Sequence, residues 1–164
     1  LMSLDNIKKP YRAHRDLNRL SPQDMYMKVA YCFSERSTCA RRKVGAVLVD
    51  SNFQMLSGGY NGVPSGMTHC IDSPCEGAHA KSGTNLDMCS AIHAEQNAIL
   101  QCRTTQLIHS IFTTTFPCMH CIKLLANTPA IHLYLAEFYT GWEEATRFWM
   151  QSRKNREVFL IETP

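Results

Sequence analysis

From residue 90 onward the chain alternates short β-branched runs with amphipathic segments of about ten residues, and this rhythm constrains the fold more than any other feature. It predicts a helix over 91–102, a strand over 111–115, a helix over 118–127, a strand over 131–136, a helix over 142–153 and a closing strand over 158–161. Strands separated by helices of this length are βαβ crossovers, which imply a largely parallel sheet with helices on both faces. Upstream, Ser21-Pro22-Gln23-Asp24 offers an N-cap serine, a proline for the first helical position and an acid three residues on, ahead of apolar Met25, Val29, Cys32 and Phe33. Apolar runs over 44–49 and 54–60, joined at Ser51-Asn52, predict a hairpin. Residues 61–87, rich in Gly, Pro, Ser, Cys and His, form a loop too long to be inert. Residues 1–20, with Lys8, Lys9, Arg12, Arg15 and Arg19, read as an N-terminal arm, and the first residue, not Met, as an edited terminus; residues 21–164 read as one domain.

Composition narrows the function classes. At 45% hydrophobic and 19% charged residues over 164 positions, the chain can bury a real core and is not disordered. Eight cysteines would staple a secreted mini-protein, but a chain this long needs no staples and no signal peptide is expected, so metal or catalytic thiols in a reducing compartment fit better. Seventeen Lys+Arg against fourteen Asp+Glu give a formal charge of +3, short of a duplex-binding footprint and suited to a small anionic ligand. No apolar run approaches the roughly 20 residues that span a bilayer. The expectation is a soluble, cytoplasmic protein.

Two segments carry the chemistry: His93-Ala94-Glu95 and Pro117-Cys118-Met119-His120-Cys121. The i, i+3 spacing of Cys118 and Cys121 puts both sulfurs on one face of a first helical turn, where Pro117 is tolerated and the helix dipole favours thiolates. His93 and Glu95, two apart, do not share a face of a regular helix, so one ligates a metal and the other does something else. His93, Cys118 and Cys121 are three ligands of the kind zinc prefers, and three leave a position for water. Glu95, unligated, is then placed to move protons. Alone, a Cys-x-x-Cys is as readily a redox pair, and a His-x-Glu a surface turn. In this order, on consecutive helices, the two form the zinc deaminase signature.

From about Ser21 the chain resembles the deoxycytidylate deaminase family. The resemblance lies in Ser37-Thr38-Cys39-Ala40-Arg41-Arg42-Lys43-Val44-Gly45-Ala46-Val47, in Gly59-Tyr60-Asn61-Gly62-Val63-Pro64-Ser65-Gly66, in His93-Ala94-Glu95-Gln96-Asn97-Ala98-Ile99 and in the Pro117 to Cys121 motif. It implies a three-layer α/β/α sandwich around a five-stranded mixed sheet, and hydrolysis of dCMP to dUMP and ammonia, supplying dUMP for thymidylate synthesis. In that picture Glu95 carries protons, Asn61 holds the deoxyribose 3′ hydroxyl, Ser37 and Arg41 bind the 5′ phosphate, and Ala94 and Tyr139 help enclose the nucleotide. Some family members hold a second zinc at positions resembling Cys39 and Cys70; Cys75 and Cys89 complete a four-thiolate set, with His69 and His79 as competing ligands. Cys32 and Cys102 read as small core residues. The resemblance further implies a homohexamer activated by dCTP and inhibited by dTTP, with magnesium accompanying a triphosphate. Tyr60, Gly62, Val63, Pro64 and Arg103 are its effector-site candidates.

Rival readings keep the fold and change the substrate: a free nucleoside, dCTP, a riboflavin intermediate, or a base within nucleic acid. A polynucleotide groove would draw on the arm and on Arg147, Trp149, Arg153, Lys154 and Arg156, for which a solvated face is the simpler reading. A non-catalytic zinc module would need a fourth ligand, and His120 is the nearby candidate.

Overall fold

Ser21 starts the first helix as its sequence predicts. In the computed structural model, which describes residues 4–10, 19–81, 84 and 88–162, the Ser21 hydroxyl accepts the Asp24 N–H at 3.0 Å and Pro22 opens α1 (Pro22–Ser34). A hairpin follows, β1 (Gly45–Val49) and β2 (Met55–Tyr60). Beyond the long loop come α2 (Ala94–Gln101), β3 (Ser110–Thr115), α3 (Met119–Ala126), β4 (His132–Glu137), α4 (Trp142–Ser152) and β5 (Glu157–Leu160). Arg12 and Arg15 of the predicted arm, and Asp87 at the end of the predicted loop, lie outside the described residues.

The five strands run in the order β2-β1-β3-β4-β5. The β3–β4 and β4–β5 pairs are parallel, whereas β1 is antiparallel to both β2 and β3. The largely parallel sheet expected from the rhythm is therefore a mixed one: helical crossovers govern the C-terminal half only, and the hairpin inserts β1 beside β3 in the opposite sense. Lys8 lies along β5, its N–H donating to the Val158 carbonyl at 2.9 Å and its own carbonyl accepting from Leu160 at 3.0 Å, so this part of the arm extends the sheet edge.

Alternate residues of each strand serve opposite faces. Val47 and Val49 join Phe112, Tyr134 and Phe159 under α1, while Ala46 and Leu48 join Ile111, Leu133, Leu135 and Val158 under α2, α3 and α4. The buried face of α1 is Tyr26, Met27, Ala30 and Ser34, with apolar Val29 and Phe33 half-buried against the same core; Met25 and Cys32 are exposed, so Cys32 is not the small core residue expected of it. The reason is Gly45. A Cβ there would lie 1.8 Å from the Ala30 carbonyl oxygen and 2.7 Å from the Ser34 nitrogen, so α1 crosses β1 backbone to backbone and presents its smallest residues at the crossing. Cys102 is buried, as expected of a core thiol.

Arg156 is only 3% exposed: its guanidinium bonds the carbonyls of Ala126, Thr128 and Ala130, each at 2.9 Å, and the Ser152 hydroxyl, and lies over the ring of Trp149, which is wholly buried. Both residues clamp the far end of α3 to α4 and β5, so neither is available to stack or pair with a polynucleotide.

The Gly45 crossing is testable. Gly45→Ala is expected to cost about 3 kcal/mol of unfolding free energy, because the added methyl meets backbone that cannot step aside; urea denaturation followed by circular dichroism checks it, and an unchanged midpoint would show that α1 is not seated there.

Candidate active site

The site begins at the junction of β2 and α2. A Cβ on Gly59 would stand 2.4 Å from both the Ala94 carbonyl oxygen and the Ala98 nitrogen, so only glycine lets the first turn of α2 come this close. Ser57 donates to the Ala98 carbonyl at 2.7 Å and the Asn97 amide to the Tyr60 carbonyl at 2.8 Å, locking the contact. Ile92 is extended, exchanging two backbone hydrogen bonds with Gly62, and for that reason the helix predicted from 91 starts only at Ala94. His93 is its N-cap, with φ −71° and ψ 157°, and its N–H donates to the Gln96 side chain at 2.8 Å. The residue that holds His93 at the helix mouth, Gln96, is thus one the sequence reading passed over. Because His93 lies outside the helix and Glu95 inside it, the two-residue spacing no longer separates them, and both reach one cleft.

The second half of the site comes from the β3–α3 turn, at the carboxyl end of the parallel strands. Cys118 is the N-cap of α3, with φ −65° and ψ 166°, so the helix predicted from 118 starts at Met119 and Pro117 precedes it rather than occupying its first turn. His93 Nδ1 lies 3.4 Å from the Cys118 sulfur and 3.3 Å from that of Cys121. Among the described residues, these are the only three whose potential metal-binding atoms all lie within 4.8 Å of one another. His120, the proposed fourth ligand, is exposed and faces the groove between α3 and α4 instead.

Electrostatics follow from the packing. The Cys121 thiol and then the His93 ring hydrogen-bond to Cys118, bringing its pKa down to about 4. Its bond to Cys118, together with burial, pushes Cys121 well above the ordinary thiol range, and the Cys118 sulfur raises His93. Glu95, 3% exposed beside Cys121, is raised by burial. The result is one ready thiolate, one imidazole and a carboxyl able to hold a proton, all facing one space.

Asn61 and Ala94 line this cleft, with Arg41, Arg42 and Tyr139 at its mouth. The Asn61 side chain is a joint for residues 37–44: its Oδ1 accepts from the Ser37 hydroxyl at 2.7 Å and the Val44 N–H at 2.8 Å, and its Nδ2 donates to the Arg42 carbonyl at 2.7 Å. Ser37 is buried behind Asn61 rather than presented to the cleft. Arg41 reaches into the long loop, donating to the carbonyls of Lys81 at 2.6 Å and Thr84 at 3.2 Å. Arg42, named in the matched segment but given no role there, points at Glu137 and Tyr139.

The four loop cysteines come from three stretches of chain and lie near one another in pairs, with no three of their sulfurs within 4.8 Å of one another. Cys70 and Cys75 have sulfurs 3.7 Å apart, Cys75 touches Cys89, and Cys39 is close enough to act electrostatically on Cys89. His69 and His79 are exposed, with His69 3.8 Å from Asp72. Of the effector candidates, Tyr60, Gly62, Val63 and Pro64 lie by the N-terminus of α2, and Arg103 follows its opposite end, a helix length of about 12 Å away for its eight residues. One chain does not bring all five together.

Residues 20–136 match the family described as the cytidine and deoxycytidylate deaminase zinc-binding region. The deoxycytidylate deaminase of Schizosaccharomyces pombe is 36% identical over 110 residues, covering 63% of this chain and 34% of that protein. That of Mycobacterium phage D29 is 34% identical over 116 residues, covering 67% and 90%. The crystal structure of the dCMP deaminase from cyanophage S-TIM5 in complex with dCMP and dUMP superimposes with a TM-score of 0.69 at 29% identity, covering 87% of this chain and all of that one. The chain spans 34% and 42% of the length of its two yeast relatives.

In chelator-treated protein, iodoacetamide is expected to modify Cys118 at a rate flat from about pH 6 to pH 8, since the thiolate is fully formed above a pKa of about 4, while Cys121 stays unreacted. Peptide mass mapping reads both, and a Cys118 rate still climbing towards pH 9 would contradict the described electrostatics.

Proposed function

Because the chain belongs to the cytidine and deoxycytidylate deaminase family, we propose that it hydrolyses the 4-amino group of dCMP to give dUMP and ammonia, and so supplies dUMP for thymidylate synthesis. The observation that carries this reading is the meeting of His93, Cys118 and Cys121 beside a buried Glu95. One imidazole and two sulfurs, one of them already a thiolate, suit zinc, and three protein ligands leave a tetrahedral position open. A zinc ion bound there would supply Lewis-acid chemistry, raising the acidity of water towards neutral pH. Glu95 takes a proton from water and delivers it to ring N3 as the water oxygen bonds to C4, then takes the remaining proton of that added hydroxyl and gives it to the amine as the C4–N bond breaks and the carbonyl forms; burial, which raises its pKa, favours its holding each proton in turn. Asn61 turns its remaining amide hydrogen to the sugar 3′ hydroxyl, held in place by Ser37, while Ala94 and Tyr139 enclose the nucleotide.

Cys39, Cys70, Cys75 and Cys89 are proposed to hold a second, structural zinc that pins the long loop; the closeness of the Cys70 and Cys75 sulfurs, with Cys89 beside Cys75, supports it. All eight cysteines are unpaired, which suits a reducing, cytoplasmic setting, and no helix among the described residues is long and apolar enough to cross a membrane. Exposed Leu100, Leu107, Leu124 and Phe148 on the α2–α4 side favour self-association, consistent with a homohexamer. Control by dCTP, carried with magnesium, and by dTTP would then use Tyr60, Gly62, Val63 and Pro64, with Arg103 contributed from another subunit.

Purified protein should release ammonia from dCMP and stop when its metal is removed. Glu95→Gln is expected to lower kcat by roughly a thousandfold while keeping its zinc. Near-normal turnover in that variant would remove Glu95 from the mechanism. Metal analysis should return close to two zinc ions per chain, falling to one in a Cys70→Ser/Cys75→Ser variant; one per chain in the parent protein would remove the structural site.

A further inference from the structure

A metal-binding histidine usually has its second ring nitrogen held by a hydrogen bond, and that bond orients the ring. In His93 it is Nδ1 that faces the Cys118 and Cys121 sulfurs, at 3.4 and 3.3 Å, and no hydrogen bond to Nε2 is found among the described residues. The ring is therefore aimed from its own main chain. Nδ1 suits this, because it is bonded to Cγ and only the two side-chain torsions separate it from the backbone, so a backbone shift is carried straight to the ligating atom. Hydrogen bonds on both sides set that backbone. Ile92 exchanges two with Gly62, at 2.9 and 3.1 Å, and the His93 carbonyl accepts the Asn97 N–H at 3.0 Å. These are main-chain bonds, open to many sequences. The His93 N–H differs: it donates to Gln96 Oε1 at 2.8 Å, and this bond needs a side-chain acceptor at position 96. Gln96 is half-buried in the wall of the groove that also holds Ile99, Leu124 and Phe148, so an apolar side chain of its length fits there.

We propose that Gln96 is a positioning residue for the metal ligand His93: by holding the His93 N–H it fixes where Nδ1 stands, and with it how tightly His93, Cys118 and Cys121 together grip a metal ion. This rests on the deaminase reading, in which those three residues hold zinc. Without an acceptor at 96 the His93 N–H is left unpaired in a half-buried place, and the helix mouth is free to relax away from the β3–α3 turn. Gln, Glu, Met and Leu are comparable helix formers, so exchanging them isolates the acceptor from helix propensity.

The test measures the free zinc concentration, set by a chelator buffer, that half-protects Cys118 from iodoacetamide. Peptide mass mapping makes this reading specific to the one site. The parent protein is compared with Gln96→Met, Gln96→Leu and Gln96→Glu, and the Tm of each metal-free protein is taken alongside. Gln96→Met should need roughly ten- to hundredfold more zinc. Gln96→Glu, whose carboxylate keeps an acceptor in the first turn of α2, should recover most of that loss. At saturating zinc, Gln96→Met should lower kcat on dCMP several-fold with KM unchanged, since Gln96 lies outside the cleft. The proposal is overturned if Gln96→Met binds zinc as tightly as the parent, or if Gln96→Glu is as weak as Gln96→Met. A lower metal-free Tm with parental zinc affinity would make Gln96 an ordinary helix cap and overturns it too. Should Gln96→Met not fold, Gln96→Leu makes the same comparison. Failure of the deaminase reading looks different: zinc would protect Cys118 in the parent while dCMP released no ammonia, and the zinc comparison would still decide on Gln96. A parent whose Cys118 zinc does not protect would remove both.

Discussion

The contact of Gly59 with the first turn of α2 sets where everything else in the cleft can stand. With no side chain between them, β2 and α2 meet backbone to backbone, and Ile92 is drawn into an extended pairing with Gly62. The helix then cannot begin before Ala94, which leaves His93 at its mouth with its ring turned towards the β3–α3 junction. A bulkier residue at 59 would shift the whole helix, and with it both the imidazole and Glu95. The chemistry of the site thus depends on a packing event with no chemistry in it.

A second dependence is electrostatic. Three ionisable groups and a carboxyl crowd a half-buried cleft, where isolated charges are costly. The structure resolves this by concentrating charge on Cys118 at the amino end of α3 and leaving Cys121 and Glu95 biased towards their protonated forms. An arrangement that stores one negative charge beside a proton-holding carboxyl is well matched to a cation and to a reaction that shuttles protons.

Much of this was legible in the residues, for reasons that can be named. The caps and periodicity around Ser21 to Asp24 and residues 111–161 report local geometry, and local geometry is what they correctly placed. The His-x-Glu and Cys-x-x-Cys spacing reports chemistry that few other arrangements share, so the trio at the centre was readable too. What was not readable depended on tertiary contact. The buried face of α1 followed from Gly45, a residue outside that helix. The antiparallel placing of β1 beside β3 has no local signal, since the two are far apart in sequence. The different fates of Arg41 and Arg42 were invisible because one partner lies in the long loop and the other at the end of β4.

The Asn61 joint has a mechanical meaning. Its side chain ties Ser37, Val44 and the Arg42 carbonyl together, so the floor of the cleft and its basic rim are consecutive links of one short hydrogen-bonded chain. A displacement felt at either end is passed on over a single bond. Floor and rim therefore stand at a spacing set by one amide side chain.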